Sequence, residues 1–196
     1  ILHGGTVTHQ ENRAFVNLLD VDLVTFSADR LADYDRVAFV DHSVPGRNNG
    51  VPSGTRVDVV VDHHPVEEDV DAGFVDRRED VGATATILVD YLRALDAEPD
   101  RTLATALAFG LRRETLEFLR GTSAEELDAA AFLQPAVDAR LLRRLATPPV
   151  SPSTVDVVGN AILNRTVRGS CLVSGAGRTG ERDALPQAAD YLSTLE

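Results

Sequence analysis

Two short apolar runs that each end in an aspartate constrain the fold of this chain more than any other feature. Residues 37–40 precede Asp41, and residues 57–61, which are all valine except Asp58, precede Asp62. Short, branched apolar runs are typical of parallel strands that are buried on both faces. Ligands of such sheets bind beyond the carboxyl ends of the strands. The sequence therefore predicts that Asp41 and Asp62 lie at the ligand-binding edge of a parallel sheet.

Helical patterns alternate with these strands and predict an α/β fold, with a mostly parallel sheet and helices on both of its faces. Pro, Gly and Asn residues across 43–55 indicate a loop. The predicted helices cover residues 9–19, 82–95, 100–110, 133–146, 153–163 and 183–195, a Ser-x-x-Glu capping box opens another at residue 123, and further strands are expected at 21–26, 74–75 and 170–173.

The composition limits the classes of partner and site. The net charge is −12 and all 19 basic residues are arginine, which is typical of salt-loving organisms and disfavours nonspecific nucleic-acid binding. The single cysteine, Cys171, excludes an internal disulfide and a Cys-based zinc site, and a free cysteine of this kind is expected to be buried. Without a long apolar run or a signal peptide, we expect a cytoplasmic protein with no membrane partner.

Carboxylate and imidazole groups follow both strands. His42 comes directly after Asp41, and His63 and His64 come directly after Asp62. These ligand types suit Mn²⁺, Mg²⁺ or Zn²⁺, and two such ions can activate water and stabilise the leaving oxygen in phosphoryl hydrolysis. The alternative, in which these residues cap helices or face solvent, stays open on this pattern alone.

A second candidate site lies where an apolar helix runs into Arg112, Arg113 and Glu114. Arginine binds phosphate through two parallel hydrogen bonds, and a carboxylate at this point could reach a metal. A solvated cluster of mutually paired charges is the alternative. The residues at 82–84 could also bind an anion through the amides of a helix N-terminus, although this signal is weak by itself.

Several of these segments resemble the DHH phosphoesterase superfamily. Val-Asp-His-His-Pro at residues 61–65 is similar to its signature triplet, at a typical distance after a strand that ends in Asp41. Similar segments occur in the same order elsewhere: Gly-Ala-Thr-Ala-Thr-Ile-Leu at 82–88, Gly-Leu-Arg-Arg-Glu-Thr at 110–115 (usually Gly-Ile-x-Thr-Asp-Thr), a piece between the first two motifs at 5–13, and the start of the associated substrate-binding domain from 171 to 191.

The resemblance implies a metal-dependent phosphoesterase that uses two Mn²⁺ or Mg²⁺ ions. The superfamily includes RecJ-type exonucleases, oligoribonucleases, inorganic pyrophosphatases and exopolyphosphatases. The implied substrate is a small phosphorylated molecule or a short single-stranded nucleic acid, and a homodimer is compatible with the sequence. The implied roles are Asp41 as bridging metal ligand, His63 and Glu114 as metal ligands, His64 with Arg112 or Arg113 as catalytic contacts to the phosphoryl group, and Asp62 and His42 as residues that orient the ligands.

The resemblance also implies three parts: a catalytic core at 1–125, a helical part and linker at 126–167, and the first piece of a DHH-associated domain at 168–196. Two features depart from the family. Glu114 is one methylene longer than the usual Asp, and the first motif, His-x-x-Pro-Asp-x-Asp, is absent and expected upstream of residue 1. We therefore expect the fragment itself to bind metal weakly and to have little activity.

Two other classes of function remain open. One is a regulatory domain that senses a nucleotide or an ion through a degenerate DHH site, and the substitution at Glu114 favours it. The other is an ordinary nucleotide-binding α/β domain. That class predicts a Gly-rich phosphate loop after an early strand, and the only comparable spacing, Gly175-x-Gly177-x-x-Gly180, comes late in the chain.

Overall fold

Strands and helices alternate along the chain in the computed structural model, which describes residues 1–4, 7, 9–47, 49–65, 69–180 and 184–195. The predictions that involve Gly5, Asn48 and Asp183 lie outside these residues. In chain order the elements are β1 (Leu2–His3), α1 (Gln10–Leu18), β2 (Val24–Thr25), a 3-10 helix (Ala28–Asp33), β3 (Ala38–Val40), β4 (Val59–Asp62), β5 (Phe74–Arg77), α2 (Thr84–Ala94), α3 (Arg101–Glu114), α4 (Ala124–Leu133), α5 (Ala139–Ala146), α6 (Pro152–Leu163), β6 (Thr166–Arg168), β7 (Cys171–Val173) and α7 (Ala184–Leu192).

The chain divides into two units. One contains Ile1–Gly5 and Phe15–Ala146, and the other contains Thr6–Ala14 and Thr147–Glu196. The assignment of functional parts to 1–125, 126–167 and 168–196 stays a prediction. None of the described helices is long and apolar enough to cross a membrane.

A parallel sheet in the order β3-β4-β5 carries the two aspartates. Val40 of β3 pairs with Val61 of β4, so the two strands end side by side. A second parallel pair joins β1 to β2. The α/β class with a parallel sheet, expected from the two apolar runs, is therefore confirmed.

Side chains on alternating faces of β4 pack into different clusters. Val60 is fully buried with Phe39, under residues of connecting segments such as Val51 and Val70. Val61 points to the opposite face, where it packs with Ile87 of α2. Burial on both faces explains why β4 is an unbroken run of valines rather than an alternating pattern.

Helix α3 lies at the centre of the helical part of the first unit. Leu111 is fully buried in a cluster with Val89 of α2 and Leu133 of α4. Phe109 packs instead with Leu145 of α5. Contact on several sides explains why α3 is apolar around most of its circumference, and it fixes the start of α2 and of α4 close to one another.

Two predicted helix starts are confirmed in atomic detail. The Asp100 carboxylate accepts a hydrogen bond from the Leu103 amide at 2.8 Å. Ser123 and Glu126 form the predicted capping box at the start of α4. A third start is wrong by two residues, because Ser151 caps α6 and Pro152 occupies its first turn, where a missing amide hydrogen costs nothing.

Two further segments of the first unit differ from the expectations. The helix expected over 133–146 is shorter, because Pro135 follows the end of α4 and Asp138 caps a new helix through the Arg140 and Leu141 amides. The strand expected over 21–26 is reduced to Val24–Thr25, since the Val21 amide still bonds to the carbonyl of Val16 in α1.

The second unit contains a β-hairpin of which only one strand was expected. β6 pairs antiparallel with β7, and Gly169 at a φ of 60° allows the two-residue turn between them. Cys171 at the start of β7 is exposed, so the expectation that it is buried is wrong. The α6 and α7 helices pack through Ala161 and Ala188 in a small apolar cluster.

Arg78 fastens the loop after β5 to α2. Its guanidinium group binds Asp76 through two hydrogen bonds of 2.9 Å and Asp90 through one of 2.6 Å. The Tyr91 hydroxyl donates to the same Asp76 carboxylate at 2.7 Å. The hydrogen bonds from Arg78 and Tyr91 outweigh burial and lower the pKa of Asp76.

Replacing Arg78 by glutamine is expected to lower the free energy of unfolding by about 1–2 kcal/mol at neutral pH, since hydrogen bonds to charged groups contribute roughly 1.5–3 kcal/mol and this cluster is partly exposed. Because the pKa of Asp76 is lowered in the folded state, its contribution to stability is fully present above the usual aspartate pKa and is lost as the pH falls through the lower folded-state pKa. Urea titrations should therefore show that the difference in free energy of unfolding between wild type and Arg78→Gln becomes smaller as the pH is lowered from roughly 5 to 3.

Arg77→Gln is the matched control for this measurement. Arg77 is the preceding residue, at the end of β5, and its ion pair with the exposed Asp69 is 3.7 Å long. We expect Arg77→Gln to change the free energy of unfolding by less than about 0.5 kcal/mol. An equal loss in both variants would contradict the role given to the Arg78 cluster.

Candidate functional site

The site begins where β3 and β4 end. Asp41 follows Val40 directly and has a φ of 67°, in the left-handed region that asparagine and aspartate tolerate better than most residues. Its amide donates to the Val61 carbonyl at 2.9 Å, which ties it to the end of β4. The Thr84 hydroxyl at the start of α2 donates to Asp41 Oδ1 at 2.7 Å. The carboxylate of Asp41 is thus oriented by two neighbouring elements.

His63 faces this carboxylate. Its Nδ1 lies 3.3 Å from the Val81 carbonyl oxygen, which can only accept, so Nδ1 carries the proton. In the neutral form of this ring the lone pair is on Nε2, and this atom lies 3.6 Å from Asp41 Oδ1. Nε2 is buried and has no hydrogen-bond partner among the described residues. A buried lone pair therefore faces a carboxylate oxygen with no described donor between them.

His64 extends the group on the exposed side. Its Nδ1 donates to Asp62 Oδ1 at 2.9 Å, which leaves Nε2 directed elsewhere. Its ring lies 4.3 Å from the His63 ring, measured between centroids. The hydrogen bond to Asp62 and the negative charges of Asp41 and Glu114 raise the pKa of His64, against the effect of partial burial.

Asp62 supports His64 from inside the protein. Its side chain is 1% exposed and accepts hydrogen bonds from the Ser43 hydroxyl at 2.5 Å and the His64 amide at 3.2 Å. Burial opposes its ionisation, but the hydrogen bonds from Ser43 and His64 outweigh it and lower the pKa of Asp62. Asp62 is therefore a fixed anion that orients His64.

Asp41, His63 and His64 form a group that fits a divalent cation. One donor atom of each lies within 4.8 Å of the other two. A histidine that donates its second ring nitrogen to a carbonyl or carboxylate is the usual arrangement of a metal ligand, and both histidines have it. Two ligands about 2.1 Å from one ion are separated by roughly 3–4 Å, which is compatible with the measured separation of His63 and Asp41.

The other predicted site residues lie outside this group. His42 Nδ1 lies 3.1 Å from the Val40 carbonyl, and its ring packs on Phe39 with centroids 4.4 Å apart. Arg112 forms an ion pair with the Glu117 side chain. Arg113 is exposed and Glu114 is half-buried, close enough to His64 to act on its charge. The roles assigned to these four residues stay predictions.

Several residues that support the group were not predicted from sequence. Thr84 and Ser43 hold the two aspartates, the Val81 carbonyl holds His63, and the buried Glu126 holds Gly82. Gly82 and Thr84 had only been considered as anion ligands. The Gly82 amide instead donates to Glu126 at 2.8 Å, so that amide is already satisfied within the protein.

Comparisons with known proteins address the family and the fold. No model of a known protein family matches the chain. The uncharacterized protein MJ1633 of Methanocaldococcus jannaschii is 38% identical over the whole chain, which spans 41% of that relative's length. An A-adding tRNA nucleotidyltransferase of Aquifex aeolicus is 29% identical over 53% of the chain and 13% of its own length.

The solved structures that are similar to the chain include a pyrophosphatase and an exopolyphosphatase-related protein. A putative family II inorganic pyrophosphatase of Methanococcus jannaschii is 21% identical with a TM-score of 0.49, over 65% of this chain and 44% of that one. An exopolyphosphatase-related protein from Bacteroides fragilis is 12% identical with a TM-score of 0.59, over 85% of this chain and 61% of that one. The chain therefore has an α/β fold of the kind found in that exopolyphosphatase-related protein.

Proposed function

We propose that the chain is part of a DHH-type phosphoesterase that hydrolyses phosphodiester or phosphoanhydride bonds with Mn²⁺ or Mg²⁺. One observation carries the proposal: Nε2 of His63, which has no hydrogen-bond partner among the described residues, faces Asp41 Oδ1 across 3.6 Å, with His64 beside them. The order of the sequence segments and the fold shared with an exopolyphosphatase-related protein support it. Phosphorylated small molecules and short single-stranded nucleic acids are the proposed substrates.

Asp41 and His63 are the proposed metal ligands. A divalent ion held there would polarise a phosphoryl oxygen and acidify a water molecule. Thr84 and the Val81 carbonyl keep the two ligands in place before an ion binds. Such preorganisation reduces the entropy lost on binding, and it requires no rearrangement of the sheet.

His64 is proposed to contact the phosphoryl group. Asp62 accepts a hydrogen bond from Nδ1 of the half-exposed ring, so Nε2 is not engaged by that carboxylate. The negative charge of Asp62 stabilises a positively charged ring, which would donate to a phosphoryl oxygen. Arg112 and Arg113 are proposed to add further positive charge in the complete protein, although for Arg112 this requires release from Glu117.

A metal titration tests the proposed ligands. Wild-type chain should bind Mn²⁺, and Asp41→Asn and His63→Gln should each weaken the affinity at least tenfold, because each removes one of few donors. Isothermal titration calorimetry with Mn²⁺ measures the affinity directly. His42→Gln is the matched control, since the His42 ring packs on Phe39 outside the group. Wild-type protein that binds no Mn²⁺ would refute the proposed site.

A kinetic comparison separates the role of His64 from that of a ligand. In the complete protein, His64→Gln should lower kcat about 10²–10⁴-fold for a short panel of phosphodiesters and polyphosphate, as for the loss of a positioned proton donor. Its Mn²⁺ affinity should change less than threefold. Loss of affinity equal to that of His63→Gln would instead make His64 a ligand.

The same kinetic comparison also decides between an enzyme and a sensor. An ion-sensing domain with a degenerate site would bind Mn²⁺ with the affinities expected above, yet the complete wild-type protein would show no metal-dependent turnover on any of these substrates. The observation in favour of a sensor is that Glu114 lies outside the three-residue group formed by the described residues.

A further inference from the structure

Glu126 is a buried acidic residue of α4 that lies outside the candidate metal group. It is 0% exposed. Its Oε1 accepts from the Gly82 amide at 2.8 Å and from the Thr86 hydroxyl at 3.1 Å. Its Oε2 accepts from both the amide and the hydroxyl of Ser123 at 2.7 Å. One carboxylate therefore joins the first turn of α4 to the first turn of α2.

The two oxygens of this carboxylate have different tasks. Oε2 completes the capping box of its own helix, which is all that a capping box requires. Oε1 is left for Gly82 and Thr86, which belong to a different part of the chain. Burial opposes ionisation, but the bonds from Ser123, Gly82 and Thr86 outweigh it and lower the pKa of Glu126. Stability of α4 alone does not account for the bonds to Oε1.

The segment held by Oε1 is the one that orients both proposed ligands. Gly82 follows Val81, whose carbonyl accepts the His63 Nδ1 proton. Thr86 lies in the same helical turn as Thr84, whose hydroxyl donates to Asp41. A shift in the segment at 81–86 would therefore move the partner of His63 and the partner of Asp41 together.

Close packing prevents compensation on the other side of this segment. A Cβ atom at Gly82 would lie only 2.0 Å from the carbonyl oxygen of Gly121. Gly121 itself has a φ of 57°, which glycine adopts without a steric penalty. The backbone at Gly82 is thus held between the Gly121 carbonyl and the Glu126 carboxylate.

We infer that Glu126 is a positioning residue for the metal site: through Gly82 and Thr86 it fixes the start of α2 so that Asp41 and His63 face one another. The inference rests on the proposed function, since it concerns the same site. It assigns Glu126 no contact with the ion or the substrate. Its effect should appear in metal affinity and in the proton position on His63, beyond any effect on stability.

The experiment compares Mn²⁺ affinity and His63 tautomer in the 196-residue chain. Glu126→Gln keeps the shape of the side chain but replaces one of its two oxygens by an amide NH₂ group. That group donates hydrogen bonds and cannot accept them, so it loses either the bonds from Gly82 and Thr86 or those from Ser123. We expect Mn²⁺ to bind about tenfold more weakly, the lower end of the 10–100-fold seen when residues behind metal ligands are removed. Long-range ¹H–¹⁵N NMR of metal-free protein should show Nδ1–H on His63 in wild type and a mixture of tautomers in the variant.

Two controls separate positioning from destabilisation. Glu125→Gln makes the same change of charge at the exposed neighbouring position, and it should leave both measurements unchanged. Leu145→Ala removes a fully buried side chain from the cluster around Phe109, away from Gly82 and Thr86. It should destabilise the fold yet keep Mn²⁺ affinity within twofold. Thr86→Val, a milder change that keeps the carboxylate, should weaken affinity two- to fivefold.

Each outcome decides the inference. The inference is overturned if Glu126→Gln or Thr86→Val lowers the melting temperature but leaves the Mn²⁺ affinity and the His63 tautomer as in wild type. It is also overturned if Leu145→Ala loses as much Mn²⁺ affinity as Glu126→Gln. Wild-type chain that binds no Mn²⁺ would reject the proposed function. In that case the tautomer measurement still shows whether Glu126 orients His63.

Discussion

The pairing of β3 with β4 is the constraint on which the candidate site depends. Val40 opposite Val61 places the turns that begin at Asp41 and Asp62 side by side. Because side chains alternate along a strand, a shift of one residue would turn Val61 and its neighbours to the wrong faces. Burial of Val60 on one face and of Val61 on the other fixes the register. The apolar core therefore determines where the polar donors meet.

Local signals in the sequence predicted what depends on neighbouring residues. The strand ends, the Asp100 cap and the Ser123 capping box all follow from residue types within a few positions. The parts that could not be predicted depend on contacts distant in sequence. Nothing near Thr84 indicates that its hydroxyl reaches Asp41, and nothing near Glu126 indicates that it reaches Gly82. The sequence thus predicts the donors of the site, while the supporting contacts require the fold.

The segment after α3 shows why Arg112 pairs with Glu117 in this structure. Leu116, Glu117 and Phe118 have consecutive φ values of 48°, 59° and 66°, a conformation that costs roughly 1–2 kcal/mol for each such residue. Packing of Phe118 in the core and the bonds of Leu119 and Arg120 to the Thr115 carbonyl offset this cost. The reversal brings Glu117 back onto Arg112. A helix pattern that ends in charged residues contains no signal for such a turn.

The charges around the group determine how an anionic substrate could bind there. The hydrogen bond to Asp62 and the negative charges of Asp41, Asp62 and Glu114 raise the pKa of His64, and the whole chain has a net charge of −12. A phosphate would be repelled by these carboxylates at short range, since even in concentrated salt screening acts only beyond about 3 Å. A divalent ion between Asp41 and His63 would offset most of this local negative charge. On the proposed function, the electrostatics of the site therefore favour binding of the metal before the phosphorylated substrate.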